Sequence, residues 1–396
     1  MKAHVAIISL PESGHCNPIL GLIPELRRRG HRVSFAATEK FTSRARGYGA
    51  NPVSYTSSLS SVQPHASDPV EDLHQMPLFL LNETMLVLPQ LEAAFADDPP
   101  DLVLFDVTAW AGWMLAEKLR VPAMQVWPVF ASNPEFSLDS SYTVFDFSHP
   151  AMVEFAELAQ RYLPTAGFPA MTVEEFFNYS ASRHLVLLPR EFQFAGGSFD
   201  DSFRFVGPCR PDSPASGSWR PPANGAPLAL ISLGTSYNDR ADFFASCVKA
   251  FADPSWQIVM TVGDRIRIAE LGELPGNIRV APYIPHLDVL PHAQVYVSQA
   301  GISGVLEALS FGLPQVLIPQ TLEQNATADR AVALRLGVRL PPDCDGARVR
   351  DAVLAVAHDE DIRANAREMR SAIAAAGGSR GAADEIESCL AEKTEV

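Results

Sequence analysis

The sequence predicts an α/β protein of two domains, each a parallel sheet covered by helices. Three observations lead there. Short apolar runs rich in Val, Ile, Leu and Phe alternate with helix-length segments along the chain, which is the pattern of strands buried on both faces. The alternation breaks once, at "CRPDSPASGSWRPPANGAP" (209–227), and then restarts. With 396 residues and 47% hydrophobic content the chain exceeds one ordinary core, and fits two domains of about 200 residues each.

In the first half the strand candidates are "VAIISL" (5–10), "RVSFAA" (32–37), "DLVLF" (101–105), "AMQVW" (123–127), "HLVLLP" (184–189) and "FRFVGP" (203–208). Between the first two, "NPILGLIPELRRRGH" reads as a helix: Asn17 can cap it, Pro18 suits its first turn, Leu22 and Leu26 share a face and Gly30 ends it. The preceding loop "LPESGHCNP" holds Gly14 for a sharp turn. The first domain is therefore expected over 1–208, the linker over 209–227 and the second domain over 228–396.

The second domain restarts with "LALISLG" (228–234), a helix near 240–251, "WQIVMTV" (256–262), "IRVAPY" (278–283), "VYVSQ" (295–299) and "QVLIPQ" (315–320). The Ala-rich C-terminal region is amphipathic and broken at Gly377-Gly378. Its terminal helical part, about 379–396, is expected to pack at the domain junction. Two Rossmann-like halves facing one another would leave a deep cleft between them.

Composition excludes several function classes. A formal charge of −15 repels nucleic acid and anionic membrane. The five cysteines are scattered, with no CxxC pair and no histidine at ligand spacing, so neither a zinc site nor a disulfide framework is expected. No stretch is read as approaching the roughly 20 apolar residues of a membrane span. The N-terminus meets Glu12 before any signal-type cleavage site, and a cytoplasmic protein is expected.

His15 follows the first strand and precedes a helix, where ligands bind in open α/β sheets. A surface or capping histidine is the ordinary alternative. Asp106 ends the strand "LVLFD" and projects from the same sheet edge. A carboxylate that accepts from one imidazole nitrogen fixes the tautomer and leaves the other as a general base. Asp106 could equally cap the helix starting near Thr108. A serine elbow G-x-S-x-G and a G-x-G-x-x-G dinucleotide loop are both absent from the first loop.

In the second half, "VSQAGISGVLEALSFGLPQVLIPQ" (297–320) is a strand, a small-residue turn and a helix. Backbone N–H groups at such a helix start can hold phosphate without a lysine. Gln299, Gly301, Ile302, Ser303 and Gly304 are the candidates. Glu307 suits ribose hydroxyls, although a glutamate favoured by the helix dipole is the ordinary reading. Thr235 and Ser236 of "LGTS" offer hydroxyls to phosphate, and Glu323 and Gln324 of "EQNATADR" suit sugar hydroxyls. Turn or cap duty competes for all four. Tyr283 could stack on a base, or belong to the core.

The ordered series "SGHCNPILGLIPELRRRGHRVSFAATEKF", "DLVLFD", "LISLGTS", "LGELPGNIRVAPYIPHLDVLPHAQVYVSQAG" and "LEALSFGLPQVLIPQTLEQNATA" resembles the nucleotide-sugar-dependent glycosyltransferases of family 1, with the GT-B fold. It is most similar to their bacterial macrolide and natural-product branch. The resemblance implies His15 as the base that deprotonates an acceptor hydroxyl and Asp106 as its support. It implies Tyr283, Gln299 to Gly304, Glu307, Glu323 and Gln324 as the donor site for a UDP-sugar or dTDP-sugar, transfer with inversion, and neither metal nor cofactor.

The chain departs from the family pattern at Gln299, where the motif usually has histidine, at Tyr283, usually tryptophan, and at His286, usually glutamine. Aromatic and aliphatic residues of 74–91 and 127–147, among them Met76, Phe79, Trp127, Phe130 and Phe136, could line a site for an apolar acceptor. Core packing competes for them. A nucleotide-sugar 2-epimerase of the same fold and a non-catalytic binder are the alternative functions. A monomer and a homodimer are both compatible with the sequence.

Overall fold

The computed structural model describes residues 2–59, 69–142, 146–210, 219–221, 225–234 and 238–392. The chain divides into two compact units, Met1–Pro211 with Ala376–Val396, and Asp212–Ala375. The change from the first to the second falls inside the Pro-, Ser- and Gly-rich segment 209–227.

The first unit carries strands β1 (His4–Ile8), β2 (Arg32–Ala37), β3 (Asn51–Ser54), β4 (Leu102–Asp106), β5 (Ala123–Trp127), β6 (His184–Val186) and β7 (Phe203–Phe205). They form one sheet in the order β3-β2-β1-β4-β5-β6-β7, every pair parallel. Side chains of β1 alternate between two cores. Val5 and Ile7 meet the helices at 13–28, while Ala6 and Ile8 meet the face that contains Leu81, Leu91, Trp113 and Phe155. Burial on both faces is what the unbroken apolar runs encode.

The second unit carries β8 (Leu228–Ser232), β9 (Gln257–Thr261), β10 (Ile278–Ala281), β11 (Val295–Ser298), β12 (Gln315–Leu317) and β13 (Gly337–Arg339). Their order is β10-β9-β8-β11-β12-β13, again all parallel. Both sheets therefore share the doubly wound order, in which the winding direction reverses beside the first strand of the sheet. That switch point lies between β1 and β4 in one unit and between β8 and β11 in the other.

Four expectations change. The helix after β1 begins at Ser13 and runs to Leu20, with Pro18 inside it. Asn17 therefore does not cap it; its Oδ1 accepts from Arg44 instead. Gly14 lies in the helical first turn without positive φ, so no sharp turn requires it. The terminal helix Gly378–Glu392 belongs to the first unit rather than the second. Its Ala382, Ile386 and Leu390 join the core with Ile19, Ile23 and Leu26. Arg29, held by Glu25 at 2.8 Å, ties it down by donating to Asp384 at 2.6 Å and Glu387 at 2.7 Å. Finally, His74–Phe95 is long and apolar enough by composition to cross a bilayer. Its Leu81, Leu88, Leu91 and Phe95 instead pack into the first unit's core.

Candidate active site

The switch point of the first sheet is filled by a histidine and a carboxylate. β1 delivers the chain to Leu10, Glu12 adopts an extended conformation, and the helix from Ser13 places His15 in its first turn. The amides of His15 and Cys16 both donate to the Glu12 carbonyl, at 3.2 and 2.8 Å, which fixes the turn. Asp106 is the last residue of β4. The helix Trp110–Leu119 lies close over that strand because Gly112 has no side chain: a Cβ there would sit 2.5 Å from Cβ of Phe105.

These elements bring the two groups together across 91 residues of sequence. His15 Nδ1 lies 2.9 Å from Oδ2 and 3.1 Å from Oδ1 of Asp106. The carboxylate is fully buried and the imidazole is 17% exposed. An ionised carboxylate only accepts, so Nδ1 carries the hydrogen and Nε2 is the nitrogen able to take a proton. A burial of this kind is tolerated because the charge is hydrogen-bonded. Asp106 Oδ1 also accepts from the backbone N–H of Thr108 at 2.9 Å and from its hydroxyl at 2.6 Å. The turn role and the role as partner of His15 therefore coexist in one residue.

The neighbouring thiol offers no competing nucleophile. Cys16 Sγ points at the Leu10 carbonyl, 3.1 Å away, and burial pushes the thiol up to about 12. Beneath it, buried Tyr55 donates its hydroxyl to the Ser9 carbonyl at 2.8 Å.

The second switch point has a different character. After β11, Gln299 is followed by Ala300 at φ +64°, a left-handed conformation for a fully buried non-glycine residue. Gly301 then stands at the N-cap of the helix Ile302–Leu309 with no side chain capping it. The first-turn amides of Ile302, Ser303 and Gly304 thus face outward from a helix start with its partial positive charge. Gly234, after β8, sits at φ +71°, and a Cβ there would lie 2.0 Å from Gln299 Nε2. Only glycine leaves that amide its place.

Glu307 is half-buried in the second turn of the helix. No acidic residue occupies the first turn, so dipole capping does not account for Glu307. Tyr283 is 78% exposed, which removes the core reading for it. Glu323 is exposed in the first turn of the helix Leu322–Ala333. Gln324 is buried, and its Oε1 accepts from the Gln320 amide at 2.8 Å, so the side chain's acceptor is already used within the loop. Thr235 and Ser236 lie outside the described residues.

The apolar candidates divide. Met76 is 43% exposed, and Phe79 lines a cavity of about 360 Å³ with Gln75, Leu78, His149, Pro150 and Glu154. Trp127, Phe130 and Phe136 are buried. Trp127 donates to His184 Nδ1, while Phe130 and Phe136 stack on Phe192 and Phe194. These three pack against aromatic neighbours, which is compatible with the wall of a site as well as with the core.

Sequence reasoning passed over Thr108 and Gln320. The first is signalled only by its two-residue offset from Asp106. The second has a buried Nε2 without a hydrogen-bond partner among the described residues, and Gln299 Oε1 is in the same state. Among the described residues no group of three or more His, Cys, Asp or Glu is placed to hold a metal ion.

Comparison with known proteins identifies the family. Residues 246–388 match the family described as Erythromycin biosynthesis protein CIII-like, C-terminal domain. The chain is 37% identical over 391 residues to the NDP-glycosyltransferase YjiC of Bacillus subtilis (strain 168), covering 98% of each. It is 38% identical over 399 residues to the demethyllactenocin mycarosyltransferase of Streptomyces fradiae, covering 98% of this chain and 87% of that one. The crystal structure of CalG4, the calicheamicin glycosyltransferase, superposes with a TM-score of 0.87 at 34% identity over 98% of both chains. The chain therefore belongs to the GT-B nucleotide-sugar-dependent glycosyltransferases of macrolide and natural-product type, enzymes that move a sugar from a nucleotide donor.

Proposed function

We propose that this enzyme transfers a hexose with inversion from a UDP-sugar, or a dTDP-sugar, to a hydroxyl of an apolar natural product such as a macrolide, polyketide or phenol. The observation that carries the reading is the pairing of His15 Nδ1 with buried Asp106 at the first switch point. His15 Nε2 takes the acceptor proton as the acceptor oxygen attacks the anomeric carbon. The bond from that carbon to the diphosphate oxygen breaks, and the nucleoside diphosphate leaves. Asp106 stabilises the imidazolium that forms.

On the donor side, the uncapped amides of 302–304 oppose the charge that grows on the departing diphosphate. Gln299 stays neutral at every pH, so the helix start rather than a cation carries that load. Exposed Tyr283 offers its face to the base, Glu307 accepts from ribose hydroxyls, and Glu323 accepts from the sugar. The scheme uses no metal. Relatives named for demethyllactenocin and calicheamicin support the acceptor class.

His15→Ala tests the reading. Transfer to a hydroxyl acceptor should fall by about 10²–10⁴-fold, while calorimetric donor binding stays within a few-fold. Product NMR should show the opposite anomeric configuration to the donor, and a chelator should leave the rate unchanged. Full activity in His15→Ala, a retained configuration, or loss of rate with chelator would each overturn the corresponding part.

A further inference from the structure

We propose that Thr108 is a positioning residue for the reaction: its hydroxyl locks the Asp106 carboxylate and, through it, the tautomer of His15. The inference rests on the reading of His15 as the base. Asp106 is fully buried, and among the described residues neither Arg nor Lys pairs with it. Its charge is met by His15 and by two donors from a single residue, the N–H and the hydroxyl of Thr108.

The chain itself provides the first of these donors. Asp106 ends β4, the Ala109 amide donates to the Asp106 carbonyl at 2.8 Å, and the turn brings the Thr108 N–H to Oδ1 whatever side chain stands at 108. The hydroxyl is an addition that the turn does not need. Its 2.6 Å bond falls on the same oxygen, Oδ1. Both turn donors on one oxygen fix the carboxylate plane, and Oδ2 makes the shorter contact to Nδ1.

The same hydroxyl lies 3.5 Å from His15 Nδ1. Its only hydrogen is spent on Oδ1, so it presents lone pairs to the ring. Both Asp106 oxygens and the Thr108 hydroxyl oxygen present lone pairs to Nδ1, and the hydrogen of neutral His15 is held on that nitrogen. Nε2 is kept as the basic position. Thr108 acts on the base without touching the acceptor.

Thr108→Val keeps the β-branched shape and the backbone N–H and removes only the hydroxyl. Expected in the full-length enzyme is a loss of about tenfold in kcat, with KM for the donor unchanged. A carboxylate with one donor fewer keeps more charge for the imidazolium, so the acid limb of the kcat/KM profile moves to higher pH. Thr108→Ser should recover most of the rate and the original limb. In a His15→Ala background, Thr108→Val should cost nothing further.

Wild-type kcat with an unmoved acid limb in Thr108→Val would overturn the proposal. So would Thr108→Ser no better than Thr108→Val, or an undiminished effect of Thr108→Val without His15. Failure of the underlying reading is separate, since it shows as full activity in His15→Ala itself.

Discussion

The two sheets have the same winding, yet their switch points are prepared in opposite ways. Between β1 and β4 the polar groups pair: the fully buried Asp106 carboxylate accepts from His15 and from the N–H and hydroxyl of Thr108. Between β8 and β11 they do not. Among the described residues Gln299 Oε1 and, beyond β12, Gln320 Nε2 are buried without a hydrogen-bond partner, and the helix from Ile302 starts without a side-chain cap. An unmet buried polar atom costs about 1–3 kcal/mol, and such atoms stand beside the second switch point but not in the His15–Asp106–Thr108 set.

Two histidines repeat the contrast. His15 is hydrogen-bonded to a buried carboxylate. His286 faces the Thr261 hydroxyl at 3.1 Å, and burial pushes it down to about 4.

The contrast can be broken or sharpened by four changes. Gly234→Ala should have the largest effect, because a Cβ at φ +71° meets the Gln299 amide. Donor KM is expected to rise by about tenfold or more, given the strain and overlap together, and steady-state kinetics that match the wild type would show that the Gln299 amide is not needed in place. Next, stability should fall as pH drops from about 6.5 to about 4, because the unfolded chain binds the proton that folded His286 refuses. His286 is only partly buried, and solvent screening limits the effect to roughly 1–2 kcal/mol. Denaturant titrations of His286→Gln should lack that component; an identical pH slope would assign it elsewhere.

Gln299→His should tighten UDP-sugar binding by roughly 3- to 10-fold at pH 6, where the imidazole gains a charge, and less at pH 8. Calorimetry at the two pH values checks this, and unchanged affinity would make the neutral amide an equivalent donor. The smallest effect is expected from Ala300→Gly. Relieving a left-handed alanine should raise stability by up to about 1 kcal/mol, seen as a small rise in Tm, whereas a fall would mean that the buried methyl packs more than it strains.

Much of this was legible because interior strands leave a plain signature. β2 and β5 coincide with the apolar runs 32–37 and 123–127 residue for residue. The two strands passed over, β3 and β13, both lie at sheet edges. "NPVS" and "GVR" are partly exposed and contain Pro52 or Gly337 and Arg339, so neither has the two-faced burial that makes a parallel strand visible. His15 and Asp106 were legible for a related reason: each follows or ends a recognisable strand, and the sheet order then makes those strands neighbours.

Local sequence alone determined the strands, the break near 209–227 and the candidate groups at strand ends, because periodicity and turn chemistry act over a few residues. Tertiary structure decided what depends on distant contacts. It sent the last helix to the first unit, where Arg29 awaits Asp384 and Glu387 more than 350 positions along the chain. It buried Trp127, Phe130 and Phe136 and brought Tyr283 out to solvent. It also gave the Thr108 hydroxyl to Asp106, since a hydroxyl two residues from a carboxylate takes its role only when folding has buried the charge beside it.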